Sequence, residues 1–507
     1  MVIFFNEAVK MPWEGKPSIY SYIREQGAQA DGSLPDDDDF WSDSPIRWVA
    51  GGVDGAFGHH AEASQKPDEV SELLQLLAKH ARKQKRSTRK ALYNKVVAAD
   101  IGGIIDSLLD EARSYPGLDP GSIFHEAKWF AEHAAHRNAV KFGIALLGLF
   151  HNEEEKELLL TLGGHEEFTL YAAVAIQNGM EQSNEVLFEL AKRVHGWGKI
   201  HLVERLDPAS REIKDWLLRD GCRNTIMNEY LACVCARHGG LHEALSSHHI
   251  DTALFEGATD IIDALIDGGP AEDIDDYEHA PQVLADYLRL AKEMCSTVKH
   301  LAVMLNIRDF FAQDEERWAA RMSAGWTEQL RTDTMEANRA IIEQPEWSGK
   351  IMKAVDSSHS IERHYATICA ERLGVDIWEN LYKQFKENPL SDSTLFHLMK
   401  SDDPGRIGKL VQFAAVNLPL WEIASGPGEE MGFGEQYAPH RCLDTILQSL
   451  DRFEGMGAEL VIAGLNSPVI RNRSMAIDAL EGWSADAWGE RIVEAVRQLA
   501  EIEPDDS

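Results

Sequence analysis

Cysteine is scarce in this chain and basic residues are outnumbered. Six cysteines occur among 507 residues, Cys222, Cys233, Cys235, Cys295, Cys369 and Cys442, without the spacing of a disulfide framework. They read as buried, reduced thiols, and Cys233 and Cys235, two apart on a helix, point to different faces. Lys and Arg total 50 against 84 Asp and Glu, a formal net charge of −34. A general nucleic-acid or anionic-membrane binder needs the opposite sign to neutralise phosphates, so both classes are excluded. Long apolar runs are also missing. Gly143 to Phe150 and Phe168 to Ile176 fall far short of the roughly 20 residues of a membrane span. Near the start, Asn6, Glu7 and Lys10 interrupt Val2 to Phe5, and no secretory signal is expected. These absences point to a cytoplasmic protein. Alternating β-branched runs bounded by turn dipeptides are lacking too, which excludes a hairpin-built fold.

What is present is material for a helical core: 44% hydrophobic residues, with 13 Trp, 18 Phe and 11 Tyr, too much to bury for a disordered chain. Residues 1–68 stand apart, punctuated by Pro12, Pro17, Pro35, Pro45 and Pro67 and by the acidic run Asp36 to Asp39; they are expected to form an irregular cap. From Glu69 the apolar spacing turns helical, with Val70, Leu73, Leu74 and Leu77 on one face. Self-similar units follow. His136-Arg137-Asn138 opens NAVKFGIALLGLF, His165-Glu166-Glu167 opens FTLYAAVAIQNG, His195-Gly196-Trp197 precedes GKIHLVERL, and Cys222-Arg223-Asn224 opens TIMNEYLACVCARHG. Their starts are 29, 30 and 27 residues apart, room for two short antiparallel helices per unit. Asn138 and Asn224 sit where N-cap side chains are expected, and Gly179, Gly221 and Gly239 where helices stop. Looser units recur after Ser360, Pro404 and Pro468. The last, Val469-Ile470-Arg471-Asn472 leading into RSMAIDALEGW, resembles the second helix of a HEAT-type repeat. The expected fold is all-α, an α-α superhelix of HEAT-like or armadillo type. Its expected parts are a cap (1–68), a first repeat block (69–250), an acidic connecting region (251–290, eleven acids against Arg289) and a second block (291–507).

Two local sequences carry possible chemistry. In Ile46-Arg47-Trp48-Val49-Ala50-Gly51-Gly52-Val53-Asp54-Gly55-Ala56-Phe57-Gly58-His59-His60-Ala61-Glu62, the residues Asp54, His59, His60 and Glu62 have the right types for acid/base or metal chemistry, and the glycines would let a ligand approach the backbone. The same stretch also reads as a tight helix entry packing Trp48 and Phe57 under the first repeat. From Lys79 to Lys95 there are eight basic residues and no acid. Lys79, Arg82, Lys83, Arg86 and Lys90 would share much of one helical face, either a solvated face or a dock for an anionic partner. His125, His133 and His136 read as histidines that hydrogen-bond repeat turns. Familiar enzyme signatures are lacking: no HExxH, no Glu three residues before any His, no GxGxxG and no phosphate-binding loop.

The WVAGGVDGAFGHH stretch, with GWGKIHLVERL and EIKDWLLRDGCRNTIMNEYLA, resembles a group of bacterial cytosolic proteins, some of which carry a limonene hydroxylase label. That resemblance implies oxidation of a monoterpene. The residues offer neither a thiolate-haem motif, nor a flavin or nicotinamide fold, nor a non-haem iron triad. The expected function is therefore a scaffold that binds a partner protein or peptide. Arg137, Asn138, Arg223, Asn224, Arg471 and Asn472 are its recurring contacts, and Arg82 and Arg86 its basic dock. The competing expectation is an enzyme, an oxidoreductase acting on a small hydrophobic substrate through Asp54, His59, His60 and Glu62. No cofactor is implied and no metal site is assigned; partner and oligomeric state are left open.

Overall fold

A computed structural model describes residues 11–27, 32–42, 47–60 and 66–504. The amino-terminal part holds α1 (Ile19–Gln26), α2 (Asp37–Phe40) and α3 (Gly52–His60), then α4 (Pro67–Lys83), α5 (Arg86–Ala98) and α6 (Ile101–Ser114). The repeats follow as α7 (Pro120–His133), α8 (Arg137–Leu147), α9 (Lys156–Gly163), α10 (Glu166–Gly179), α11 (Ser183–Ala191), α12 (Trp197–Val203), α13 (Arg211–Trp216) and α14 (Glu229–Gly239). Next come α15 (Leu241–Leu245), α16 (Thr252–Asp267), α17 (Ala280–Met294), α18 (Val298–Phe311), α19 (Glu315–Ser323) and α20 (Glu328–Ile342). The chain continues with α21 (Trp347–Val355), α22 (Ser360–Leu373), α23 (Trp378–Glu387), α24 (Asp392–Met399) and α25 (Pro404–Asn417). It closes with α26 (Leu420–Ile423), α27 (Ala438–Leu447), α28 (Ala458–Leu465), α29 (Ile470–Glu481) and α30 (Ala485–Ile502). No strand forms among the described residues; one parallel bridge joins Glu430 and Val469.

The chain divides into two compact units, residues 1–295 with 306–341, and residues 296–305 with 342–507. In the first, α7 packs on α8, α9 on α10 and α11 on α12, while α8, α10, α12, α14 and α16 pack in succession as an inner row. That arrangement is compatible with an α-α superhelix. The expected unit starts at residues 136, 165 and 195 coincide with the entries of α8, α10 and α12. The fourth does not. A π-helical turn spans Leu217–Gly221, a loop follows, and α14 begins only at Glu229, so Asn224 caps no helix. Asn138 is likewise inside α8 rather than at its cap, which is His136. In the second unit α24 packs on α27, α27 on α29, and α28 on α29 and α30.

The amino-terminal segment is partly helical, and residues 251–290 are mostly helix, α16 and the start of α17. Most of their acids stay at least partly exposed, Asp260 being buried, while Phe255, Ile261, Ile262, Leu265, Val283 and Leu284 are buried. An acid-rich composition hides an amphipathic helix when the acids occupy one side of it.

Candidate functional site

The glycine-rich segment and the first repeat helices meet in a buried network of charges. Lys141 stands in the middle of α8 between buried Val140 and Phe142, and a buried ammonium requires partners. It finds two: Asp54 Oδ2 and Glu167 Oε1, each 2.6 Å from its Nζ. Tyr171 donates its hydroxyl to the other oxygen of Asp54 at 3.2 Å, and Gly51 donates its backbone N–H to Glu167 Oε2 at 3.1 Å. One helical turn before Lys141, Arg137 is 2% exposed. Its guanidinium donates to Asp36 (3.2 and 3.4 Å) and to Asp37, faces Glu167 at 3.8 Å and lies 4.1 Å over the Phe40 ring.

Burial works against the charge on Lys141, but Glu167 and Asp54 outweigh it and raise its pKa above the ordinary lysine value. Burial likewise opposes ionisation of Glu167, and Lys141 and Arg137 nevertheless hold its carboxyl low. The Tyr171 phenol is pushed far up by burial and by the Asp54 carboxylate. These groups are locked in their ordinary charge states, which suits clasping two segments together and does not suit proton transfer near neutrality.

The glycines of the same segment make room for protein rather than for a ligand. A Cβ at Gly51, where φ is +71°, would come 2.5 Å from the Glu166 carbonyl oxygen, and one at Gly55 would lie 2.3 Å from the Trp197 ring. Trp48, expected beneath the repeats, is exposed. Of the four expected catalytic candidates, Asp54 is thus engaged in the clasp; the side chains of His59 and His60, and Glu62 altogether, lie outside the described residues. Beside the clasp, His165 is buried, its Nδ1 accepts the Glu167 N–H at 3.3 Å, and burial lowers its pKa. Glu166 turns the other way and accepts the backbone N–H groups of His195 (2.8 Å) and Gly196 (2.7 Å), serving the entry of α12. His133 stacks on Trp129, and His136 shares a 2.9 Å hydrogen bond with Tyr93.

The six expected recurring contacts scatter. Arg137 is interior, so it presents nothing to a partner. Asn138 donates to Val97 O and Ala99 O, tying α8 to the end of α5. Arg223 meets Asp260 of α16, and Asn224 closes its own loop through Met227. Arg471 is exposed and 3.4 Å from Asp444, whereas Asn472 is fully buried and bonded to His440, Ser467 and Asp444. The basic island is not one face either: α4 ends at Lys83, Gln84 takes a left-handed conformation, and α5 starts at Arg86. Arg86 pairs with Glu14, Arg89 with Glu126 and Lys95 with Glu72.

Sequence reasoning missed a surface in the second unit. Val416, Trp421, Met431 and Phe433 are 83%, 80%, 65% and 69% exposed. Val416 ends α25, Trp421 sits on α26, which packs on α28, and the other two stand on the loop after it. That loop is pinned: Gly426 N–H donates to Asn466 O (2.9 Å), Glu430 N–H to Pro468 O (3.1 Å) and Ile470 N–H to Glu430 O (3.1 Å). The signal was in the text, an aromatic and a methionine inside the glycine-rich GPGEEMGFGE, without the periodicity that would bury them.

Comparison with protein-family models gives no match, and comparison with curated proteins gives none either. Among solved structures, the crystal structure of an engineered protein aligns with 82% of this chain and 98% of its own, at 15% identity and a TM-score of 0.25. Likeness at that level defines neither a fold family nor an activity. Among the described residues, no helix is long and apolar enough to cross a membrane.

Proposed function

We propose that the chain is a helical-repeat scaffold, an α-α superhelix of HEAT-like or armadillo type, that binds a partner protein or peptide. The observation that carries this reading is the exposure of Val416, Trp421, Met431 and Phe433 on a pinned loop and the two helices before it. Large apolar side chains left in water cost free energy unless something covers them, and aromatic residues and Met are the types that anchor interfaces. A loop already fastened loses little freedom on binding. The clasp at Lys141 and Arg137 then has a supporting part, holding the amino-terminal segments on the repeats. A cytoplasmic location fits six free thiols, five of them buried.

The test is affinity capture with the parent chain and with a Trp421→Ala/Phe433→Ala double variant of matching thermal stability. A defined partner held by the parent and released by the double variant supports the reading. No partner, or one that the double variant holds equally well, overturns it.

A further inference from the structure

The carboxy-terminal half of α4 and the connection between α6 and α7 border a surface cavity of about 590 Å³, lined by Gln75, Lys79, Arg82, Lys83, Tyr115 and Pro116 among others. Three cations face it and no carboxylate does. Among the described residues none of the three has an ion-pair partner, whereas the neighbouring Arg86, Arg89 and Lys95 each meet a glutamate. In a chain of net charge −34 this is a local reversal of sign. The last turn of a helix favours cations, which accounts for Arg82 and Lys83 in part, but Lys79 lies a turn earlier and lines the same space.

Arg82 reaches across to the connection. Gly117 has φ +88°, and a Cβ there would come 2.3 Å from the guanidinium nitrogen Nη2 of Arg82. The fork therefore lies directly over the connection. Tyr115 and Pro116 complete the lining. Two ammonium groups and one guanidinium complement two to three negative charges on a compact ligand. The guanidinium fork matches the geometry of tetrahedral phosphate oxygens. A nucleic acid is disfavoured by the acidic remainder of the surface.

We propose that this cavity binds a small phosphate-bearing anion, independently of the partner surface on the second unit. The probe is inorganic pyrophosphate, titrated calorimetrically into the full chain at low ionic strength and compared with the variants Arg82→Ala, Lys79→Gln and, as a remote control, Arg497→Gln. Saturable binding, weakened about tenfold or more by Arg82→Ala and by Lys79→Gln and unchanged in Arg497→Gln, is the expected result. No saturable binding overturns the proposal, as does binding that Arg82→Ala and Lys79→Gln retain or that the control loses equally.

Discussion

Arg137 shows how one side chain is understood differently once its surroundings are known. An arginine opening a repeat helix reads as a surface contact; here it sits against Asp36, Asp37 and the Phe40 ring with almost no exposure. Removing one partner from a buried ionic group leaves the others uncompensated, so Arg137→Met is expected to destabilise the first unit by about 3–5 kcal/mol. Urea denaturation of the variant and parent measures this, and a loss under about 1 kcal/mol would show that the clasp contributes little. The pH response follows from the same residues. The folded pKa of Glu167 is depressed, so its contribution is present above the ordinary glutamate value of about 4.3 and is lost as pH falls through the folded value. The His165 pKa is also depressed; its neutral form is the folded one, so stability is full above about pH 6.5 and declines as the pH falls below it. Lys141 is raised, so its contribution holds below about pH 10.4 and is lost as pH rises through the folded value. The urea midpoint is therefore expected to decline from about pH 6.5 downward, and His165→Gln to flatten the first part of that decline. An unchanged acid limb in His165→Gln would assign the decline to other groups. Lys141 stands in the sequence as a lone cation within the apolar run after Asn138, a signal the sequence reading did not use. Its partners are not legible there, because Asp54 is 87 positions away.

At the scale of the helix, small residues set how closely neighbours approach. In α8 a Cβ on Gly143 would come 2.6 Å from the Ala131 nitrogen and 2.7 Å from the Phe130 Cβ of α7, while Gly408 in α25 has nothing within 4 Å. The two positions thus predict opposite signs. Gly143→Ala is expected to cost about 1–3 kcal/mol, since backbone atoms of α7 must give way. Gly408→Ala is expected to gain up to about 1 kcal/mol from helix propensity alone. Thermal melting of the two variants checks the pair, and a Gly143→Ala protein that melts no lower than its parent would contradict the close packing of α7 on α8. Helix entries were readable at residues 136, 165 and 195 because the apolar period resumes there. The entry of α14 was not, since the π-helical turn at Leu217–Gly221 shifts the phase and the text CRNTIMNEYLACV keeps an apolar rhythm through a loop. In α16 the acids masked a helix whose inner side is mostly apolar, with Thr259 and Asp260 the buried exceptions.

For the molecule as a whole, a net charge of −34 means long-range self-repulsion that added salt relieves. Raising the ionic strength from 0.01 to 0.15 M shortens the screening length from about 30 to about 8 Å. The melting temperature is accordingly expected to rise by about a few degrees over that range, while the destabilisation caused by Arg137→Met, a buried effect, stays nearly constant. A differential scanning measurement at both salts decides it; a melting temperature that falls with salt would mean that exposed ion pairs outweigh the repulsion. Thiol chemistry is quiet at this scale as well. Burial pushes Cys233, Cys235, Cys369 and Cys442 up to about 12, far from a thiolate at neutral pH.

Composition and apolar period, both properties of neighbours along the chain, were enough to establish the helical class, the lack of strands among the described residues and the entries of α8, α10 and α12. Which charges are buried was decided by the fold alone. Asp36 and Asp37 read as part of an acidic run in an irregular cap and become the counter-ions of Arg137; Gly51 and Gly55 read as room for a ligand and become seats for Glu166 and Trp197. The reason is the same in each case. Local sequence sets backbone preference and which face is apolar, whereas the environment of a charge or a glycine depends on residues a hundred positions away that only packing brings into contact.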